Sequence, residues 1–238
     1  MINIALLSAK YQASIVFRRD IKVNLEESLE LWTDPLSERR ARELLGLPEH
    51  SAVKRVGLVV GSSPKWPTKR WPVEFFLELS KRLVRELKCE IVLIGSEGEG
   101  VPAELFEKEK KILNLIGKTS LSDLVPLIRH LDVLVTGDTA PLHIAAASQT
   151  PVVALFGPTD PKRHMPPAKA SAVLVKNLAC QPCYQGICKN TEELACLKQI
   201  SVQEVFQAVQ RQITKKEANT RASEPQSEKS DIRVSEKI

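Results

Sequence analysis

Four short apolar segments, each followed by a polar turn and the first three also by a helical pattern, constrain this chain most strongly. None of them alternates polar with apolar residues, which is typical of strands that are covered on both faces. The segments are 55–60, 90–94, 133–135 and 152–156. Strands that alternate with helices at this spacing form parallel sheets with right-handed crossovers. We therefore predict an α/β fold, with a Rossmann-like parallel sheet and helices on both of its faces.

Weaker patterns predict the remaining elements. Apolar residues at helical spacing follow Ser37, Ser120 and Ser201, each of which can cap a helix. Ser201 and Glu204 have the spacing of a capping box. The predicted helices are 37–46, 73–87, 103–112, 121–131, 141–148 and 201–213, and further short strands are predicted at 115–116 and 173–175.

Composition divides the chain into three parts. Residues 1–50 carry no phosphate-binding loop and are partly helical in pattern. Residues 51–213 contain the alternating strands and helices. Residues 214–238 are polar and mixed in charge, a composition that does not supply a core. We predict a remnant or linker at 1–50, one Rossmann-like domain at 51–213 and a disordered tail at 214–238.

Charge and hydropathy exclude several classes of protein. The formal net charge is +5 over 238 residues, and the basic residues are spread along the chain, so we expect no nucleic-acid partner. Apolar runs are all shorter than the roughly 20 residues that span a bilayer, and the first residues do not resemble a signal peptide. We expect a cytoplasmic protein, and attraction to an anionic membrane surface is left open. No Gly-x-Gly-x-x-Gly follows the first strand, which disfavours a dinucleotide cofactor.

Polar residues follow three of the predicted strands at the point where each ends. Ser62 and Ser63 follow the first, Glu97 the second, and Asp138 and Thr139 the strand that begins at 133. In open parallel sheets, ligands bind outside the carboxyl ends of the strands. The free N–H groups of the helix that follows would favour an anion such as a phosphate.

Several motifs occur in a fixed order along the chain: Gly61-Ser-Ser with Thr68-Lys-Arg-Trp-Pro72, Gly95-Ser-Glu97, Gly137-Asp-Thr-Ala-Pro-Leu-His143-Ile-Ala-Ala-Ala, and Leu155-Phe-Gly-Pro-Thr-Asp-Pro161. Together they resemble glycosyltransferase family 9, the ADP-heptose:lipopolysaccharide heptosyltransferases of Gram-negative bacteria. The resemblance covers roughly residues 32–213. The cysteine segment that begins Cys180-Gln-Pro-Cys183 also looks like this family.

The resemblance implies a GT-B fold, in which two Rossmann-like domains face each other across a cleft. This chain is similar to the C-terminal half, which holds the nucleotide-sugar. Residues 1–31 are too short for an N-terminal domain, so we expect that domain to be separate. The general base is not found in this chain.

The implied function is inverting transfer of a heptose from ADP-heptose to a lipopolysaccharide inner-core acceptor, with no cofactor or tightly bound metal. Peripheral association with the cytoplasmic face of the inner membrane is left open. The alternative is a non-catalytic nucleotide-sugar-binding module, or a truncated fragment without transferase activity.

The resemblance also assigns roles to individual residues. Lys69 stabilises the leaving diphosphate, Ser62 and Ser63 bind phosphate, and Glu97 binds the ribose hydroxyls. A solvated lysine, an ordinary turn and a loop carboxylate are the structural alternatives.

The 137–143 motif supplies the other predicted contacts. Asp138 and Thr139 bind the sugar and a phosphate, although both residue types also cap helices. His143 approaches the sugar or a phosphate, or is a satisfied core histidine. Ala140 replaces the glycine usual in this turn and adds a methyl group beside the ligand.

Two further groups stay undecided. Thr159 and Asp160 either line the same cleft or form a turn between prolines. Cys180, Cys183, Cys188 and Cys196 either form a four-thiolate metal site or are reduced thiols that pack a loop, and their spacing does not follow the usual paired pattern of zinc sites.

Overall fold

The computed structural model describes residues 31–47, 53–99, 103–106, 110–168 and 170–223. Six strands form one sheet in the order β3-β2-β1-β4-β5-β6, and every pair of neighbours is parallel. The strands are β1 (Arg55–Val59), β2 (Glu90–Ile94), β3 (Ile112–Asn114), β4 (Val133–Gly137), β5 (Val152–Phe156) and β6 (Ser171–Val175). This arrangement confirms the predicted Rossmann-like parallel sheet.

Helices cover both faces of the sheet, as predicted. They are α1 (Pro35–Leu44), α2 (Val73–Leu87), α3 (Leu121–Arg129), α4 (Ala140–Ala147), α5 (Pro161–His164), α6 (Ala195–Lys198) and α7 (Val202–Ser223). The buried side chains of α2 and α7 share one hydrophobic cluster with alternate residues of the strands. Those of α1, α3 and α4 share a second cluster on the opposite face. The central strands β1, β4 and β5 are buried along their whole length, which explains why their sequences show no alternation.

Local sequence signals set where the helices begin. At α3, the Ser120 hydroxyl accepts a hydrogen bond from the Asp123 N–H, and the Asp123 carboxylate accepts one from the Ser120 N–H. The predicted capping box at α7 is confirmed, because Ser201 and Glu204 form the same reciprocal pair. In α4, Pro141 lies in the first turn, where its missing N–H costs nothing.

The strand order reverses at the centre of the sheet. The chain runs outward from β1 through β2 to β3, and then returns to place β4 on the other side of β1. Ligands of doubly wound sheets bind at such a switch point, outside the carboxyl ends of the strands. The loop after β1 and the turn after β4 therefore meet at the preferred binding position of the fold.

Three predicted boundaries are wrong. Within the helix predicted at 103–112, the structure has a 3-10 turn at Ala103–Phe106 and the start of a strand at Ile112, while residues 107–109 lie outside the described residues. The sequence of this 103–112 stretch is charged and has no continuous apolar stripe, so a helix there would have no apolar face to bury against the sheet. The third strand is Ile112–Asn114 rather than 115–116. The first helix begins earlier than Ser37, because Asp34 is its N-cap and accepts a hydrogen bond from the Ser37 N–H at 2.9 Å.

The predicted ends of the domain also change. α1 packs on α3, and buried Ala41 and Leu45 belong to the domain's second hydrophobic cluster, so the boundary predicted at residue 51 separates elements that share one core. At the other end, α7 extends into the predicted tail and ends at Ser223. Lys216 accounts for part of this extension, since its ammonium lies 2.9 Å from the Asp132 carboxylate. Residues 1–30 and 224–238 lie outside the described residues.

Within the described ranges, every helix is too short or too polar to cross a lipid bilayer.

A buried tryptophan fastens the loop after β1 to the rest of the domain. Trp71 is 2% exposed and donates from its indole N–H to the carbonyl oxygen of Ile200 at 2.9 Å. Its ring also makes edge contacts with Phe75 and Phe76. The loop is therefore tied to the start of α7.

We predict that Trp71→Phe lowers the free energy of unfolding by about 1–3 kcal/mol, because it leaves the buried carbonyl of Ile200 without a donor. The matched control is Trp32→Phe, since Trp32 is 84% exposed, and it should change stability by less than about 0.5 kcal/mol. Urea unfolding of both variants measures the difference. Equal losses would contradict the anchoring role of Trp71.

Candidate functional site

An ion pair joins the two strand ends at the switch point. The Lys69 ammonium lies 2.7 Å from the Asp138 carboxylate and 3.2 Å from the Asp138 carbonyl oxygen. The Lys69 side chain is 16% exposed and that of Asp138 is 5% exposed. Two residues predicted for the site from separate motifs are thus in direct contact.

The loop after β1 presents Lys69 to this position through close backbone packing. Lys69 ends a 3-10 turn, Pro67–Lys69, and its ammonium lies 5.0 Å from the centre of the Trp66 ring. A Cβ on Gly137 would lie only 2.9 Å from the Lys69 carbonyl oxygen, which is too close for a real side chain. Only a glycine at the end of β4 permits this approach of the two backbones.

The head of α4 faces the same region. Thr139 occupies the N-cap position, and its hydroxyl lies 3.1 Å from the Thr136 hydroxyl. Within the described residues, no side chain caps the N–H groups of this helix. The capping alternative therefore does not describe Thr139, and the helix terminus keeps its preference for an anion. Ala140, the first residue of α4, is exposed, so its methyl group faces the solvent side of the turn.

His143 lies one turn into α4 and close to the ion pair. Burial lowers the pKa of its imidazole below the ordinary value of 6.5, and the charge of Asp138 opposes that effect. The neighbouring His164 and Lys69 lower the pKa further. The ring is therefore neutral at pH 7 and can both donate and accept a hydrogen bond.

The two predicted serines differ in their surroundings. Ser62 is buried, and its hydroxyl donates to the Trp66 carbonyl oxygen at 2.7 Å and accepts from Arg70 Nε at 3.1 Å. Both partners belong to the Lys69 loop, so the Ser62 hydroxyl mainly stabilises the conformation of that loop. Ser63 is exposed, and its hydroxyl accepts a 3.4 Å hydrogen bond from the Lys65 N–H.

The carboxylates that follow β2 lie beside the same edge of the sheet. Glu97 is exposed, and its side chain lies across Gly117, where a Cβ would come 2.5 Å from the Glu97 Cγ. The Glu99 carboxylate lies over Gly61, at the start of the Lys69 loop, and accepts a hydrogen bond from the Ser96 N–H. Glu99, which no motif indicated, thus lies against the start of this loop.

The turn after β5 lies next to the turn after β4, because β5 pairs with β4 on the side opposite β1. Asp160 caps the short helix α5, since it accepts from the Lys162 N–H at 2.9 Å. The Thr159 side chain is buried, and its hydroxyl has no hydrogen-bond partner among the described residues. His164, which no motif indicated, lies near enough to His143 to lower its pKa. Its only sequence signal was its position after the strand next to β4.

The four C-terminal cysteines are free thiols that lie near one another. Burial, and after it the proximity of Cys183, Cys180 and Cys188, raises the pKa of the Cys196 thiol to about 11. Within the part of the chain that the structure describes, no three histidine, cysteine or acidic side chains are arranged to hold a metal ion.

The strand order and the helices on both faces of the sheet, with a lysine–carboxylate pair and an uncapped helix terminus at the switch point, define a doubly wound, Rossmann-like α/β domain. The family model for glycosyltransferase family 9 (heptosyltransferase) matches residues 15–193. The chain therefore belongs to this glycosyltransferase family.

Individual relatives agree with this assignment. The chain is 28% identical, over 74% of its length and 53% of the relative's, to lipooligosaccharide heptosyltransferase 2 of Campylobacter jejuni. It is 37% identical to lipopolysaccharide heptosyltransferase 2 of Escherichia coli K12, over 46% of this chain and 33% of that protein. The structure of E. coli ADP-heptose lipopolysaccharide heptosyltransferase II matches with a TM-score of 0.64 and 25% identity, over 79% of this chain and 54% of that one. The chain thus spans about half the length of these relatives, or less.

If Lys69 and Asp138 stabilise each other, single and double substitutions of the pair should have non-additive effects on the free energy of unfolding. Lys69→Met leaves the buried Asp138 carboxylate without its partner, and should lower the free energy of unfolding by about 3 kcal/mol. Adding Asp138→Asn removes the unpaired charge and should recover most of the loss. Lys65→Met, on an exposed lysine of the same loop, is the control. Strictly additive losses in urea unfolding would argue against the pair.

The imidazole of His143 provides an electrostatic test of the same cluster. Asp138→Asn removes a charge that raises the pKa of His143, so that pKa should fall. Lys69→Met removes a charge that lowers it, so the pKa should rise. Nuclear magnetic resonance titration of the imidazole, assigned with His143→Gln, measures both shifts. Shifts in the same direction would contradict the geometry of the site.

Proposed function

We propose that this chain is the donor-binding, C-terminal half of a GT-B heptosyltransferase. It binds ADP-heptose, from which the heptose is transferred to the inner core of a lipopolysaccharide. The observation that carries this proposal is the convergence of Lys69, Asp138 and the uncapped head of α4 at the switch point of the sheet. The family and the names of its relatives supply the class of reaction and the donor.

The donor diphosphate lies between Lys69 and the N–H groups at the head of α4. A nucleoside diphosphate is a poor leaving group unless its growing negative charge is neutralised. A lysine and a helix terminus in a partly buried site stabilise that charge without a metal. Lys69 is the residue that performs this role, and Ser63 and Thr139 add hydroxyl contacts to the phosphates.

The remaining residues recognise the two ends of the donor. Glu97, an exposed residue of the loop after β2, accepts hydrogen bonds from the ribose hydroxyls. Asp138 and the neutral imidazole of His143 hold the sugar hydroxyls. Ala140 lies at the rim of this pocket, and Ser62 acts indirectly by shaping the Lys69 loop.

The acceptor side of the reaction belongs to the N-terminal domain of a GT-B fold. That domain supplies the general base that takes the proton of the attacking acceptor hydroxyl, and the heptose is transferred with inversion. Because lipopolysaccharide is a membrane component and the chain carries a net charge of +5, we place the enzyme in the cytoplasm, at the inner-membrane face.

A second candidate function is nucleotide-sugar binding without catalysis. It requires only the donor site at the switch point, where Lys69 and Asp138 are in contact. Both functions predict donor binding, and a transfer assay with ADP-heptose and a heptose-deficient lipopolysaccharide acceptor separates them. Release of ADP that depends on the acceptor supports the transferase.

Calorimetric titration with ADP, UDP and GDP tests donor binding. We expect ADP to bind most tightly, and Lys69→Met to weaken ADP binding by roughly ten- to a hundredfold, the value of a charge-assisted hydrogen bond. Lys65→Met should leave the affinity within about twofold, since this lysine is exposed on the same loop. Circular dichroism of each variant checks that the fold persists.

Two outcomes of this titration would contradict the proposal. Equal heats for all three nucleotides, or no heat for any of them, would remove the assignment of ADP-sugar as the donor. Equal losses in Lys69→Met and Lys65→Met would remove the specific role of Lys69.

A further inference from the structure

The segment from Gln181 to Gly186 contacts two of the loops at the candidate site, and the proposed reaction assigns it no role. It follows β6 along the chain, and its described contacts reach two loops of the site that are far away in sequence. We call residues 181–186 the clamp segment.

One end of the clamp segment holds the Lys69 loop. Thr68, the residue before Lys69, is buried, and its hydroxyl donates to the Gln185 carbonyl oxygen at 2.6 Å. Gly186 packs on the same loop so closely that a Cβ there would lie 2.7 Å from the Lys65 carbonyl oxygen. The loop is thus held between the clamp segment, which contacts Lys65 and Thr68, and Gly137, which approaches the Lys69 carbonyl oxygen.

The other end of the clamp segment holds the turn after β5. The Gln181 side-chain amide donates to the Gly157 carbonyl oxygen at 2.6 Å, and the Tyr184 N–H donates to the Pro158 carbonyl oxygen at 2.9 Å. Because β4 lies between β1 and β5 in the sheet, the segment joins the loops on either side of Asp138.

We propose that Thr68 and the clamp segment position Lys69 for the donor diphosphate. Lysine has a long and flexible side chain, so its ammonium is placed well only if the backbone that carries it is fixed. The Thr68 hydroxyl fixes that backbone from the residue next to Lys69. This inference rests on the proposed binding of ADP at Lys69, and it makes Thr68 a positioning residue rather than a ligand.

The test is calorimetric titration of the full chain with ADP. Thr68→Val keeps the shape of the side chain but removes the hydrogen bond to Gln185, and should weaken ADP binding by roughly three- to tenfold. Thr68→Ser keeps the hydroxyl and should restore the affinity to within about twofold of wild type. Gly186→Ala, which displaces the segment from the Lys65 carbonyl, should also weaken binding.

The decisive comparison places Thr68→Val in a Lys69→Met background. If Thr68 acts through Lys69, its substitution has no further effect on ADP affinity there, although it still lowers thermal stability. Full affinity in Thr68→Val, or an undiminished effect in the Lys69→Met background, overturns the positioning role. Failure of the wild-type chain to bind ADP overturns the proposed function instead, which keeps the two failures distinct.

Discussion

The ion pair between Lys69 and Asp138 is the interaction on which the candidate site depends. It brings together the loop after β1 and the turn after β4, which are separate motifs in the sequence. Both side chains are largely buried, so neither charge is tolerated without the other. A bound diphosphate would add negative charge beside the ammonium, while the carboxylate would remain available to the sugar. The pair thus fixes the two strand-end loops against each other, in the arrangement that the proposed donor site uses.

The topology of the sheet brings these two loops together. Its strand order places β1 beside β4, and both strands end at the same edge. Gly137 lets the Lys69 backbone approach to a distance that no side chain would permit, and Trp71 fastens the far end of the loop to Ile200. The fold therefore supplies the position of the site, and a small number of close contacts around one loop supply its precision.

The sequence predicts the strands and the turns that follow them better than it predicts the domain ends. Strands buried on both faces and the turn residues after them were recognisable because burial and backbone geometry restrict the residue types allowed there. The contact between Lys69 and Asp138 was not, since it depends on the packing of Gly137. The extension of α7 to Ser223 was also missed, because long-range ion pairs such as Lys216 with Asp132 stabilise a polar stretch that has no periodic apolar face. His164 and the clamp segment carry no local motif, and only the folded chain places them beside the site.

A crystal structure of this chain with bound ADP would test directly whether the donor diphosphate binds between Lys69 and α4. The account predicts that the diphosphate lies between the Lys69 ammonium and the first N–H groups of α4, within about 3 Å of both, with the ribose near Glu97. The contacts from Thr68 to Gln185 and from Lys69 to Gly137 should be unchanged. ADP bound at another edge of the sheet, or at the switch point with its phosphates turned away from Lys69, would contradict the account.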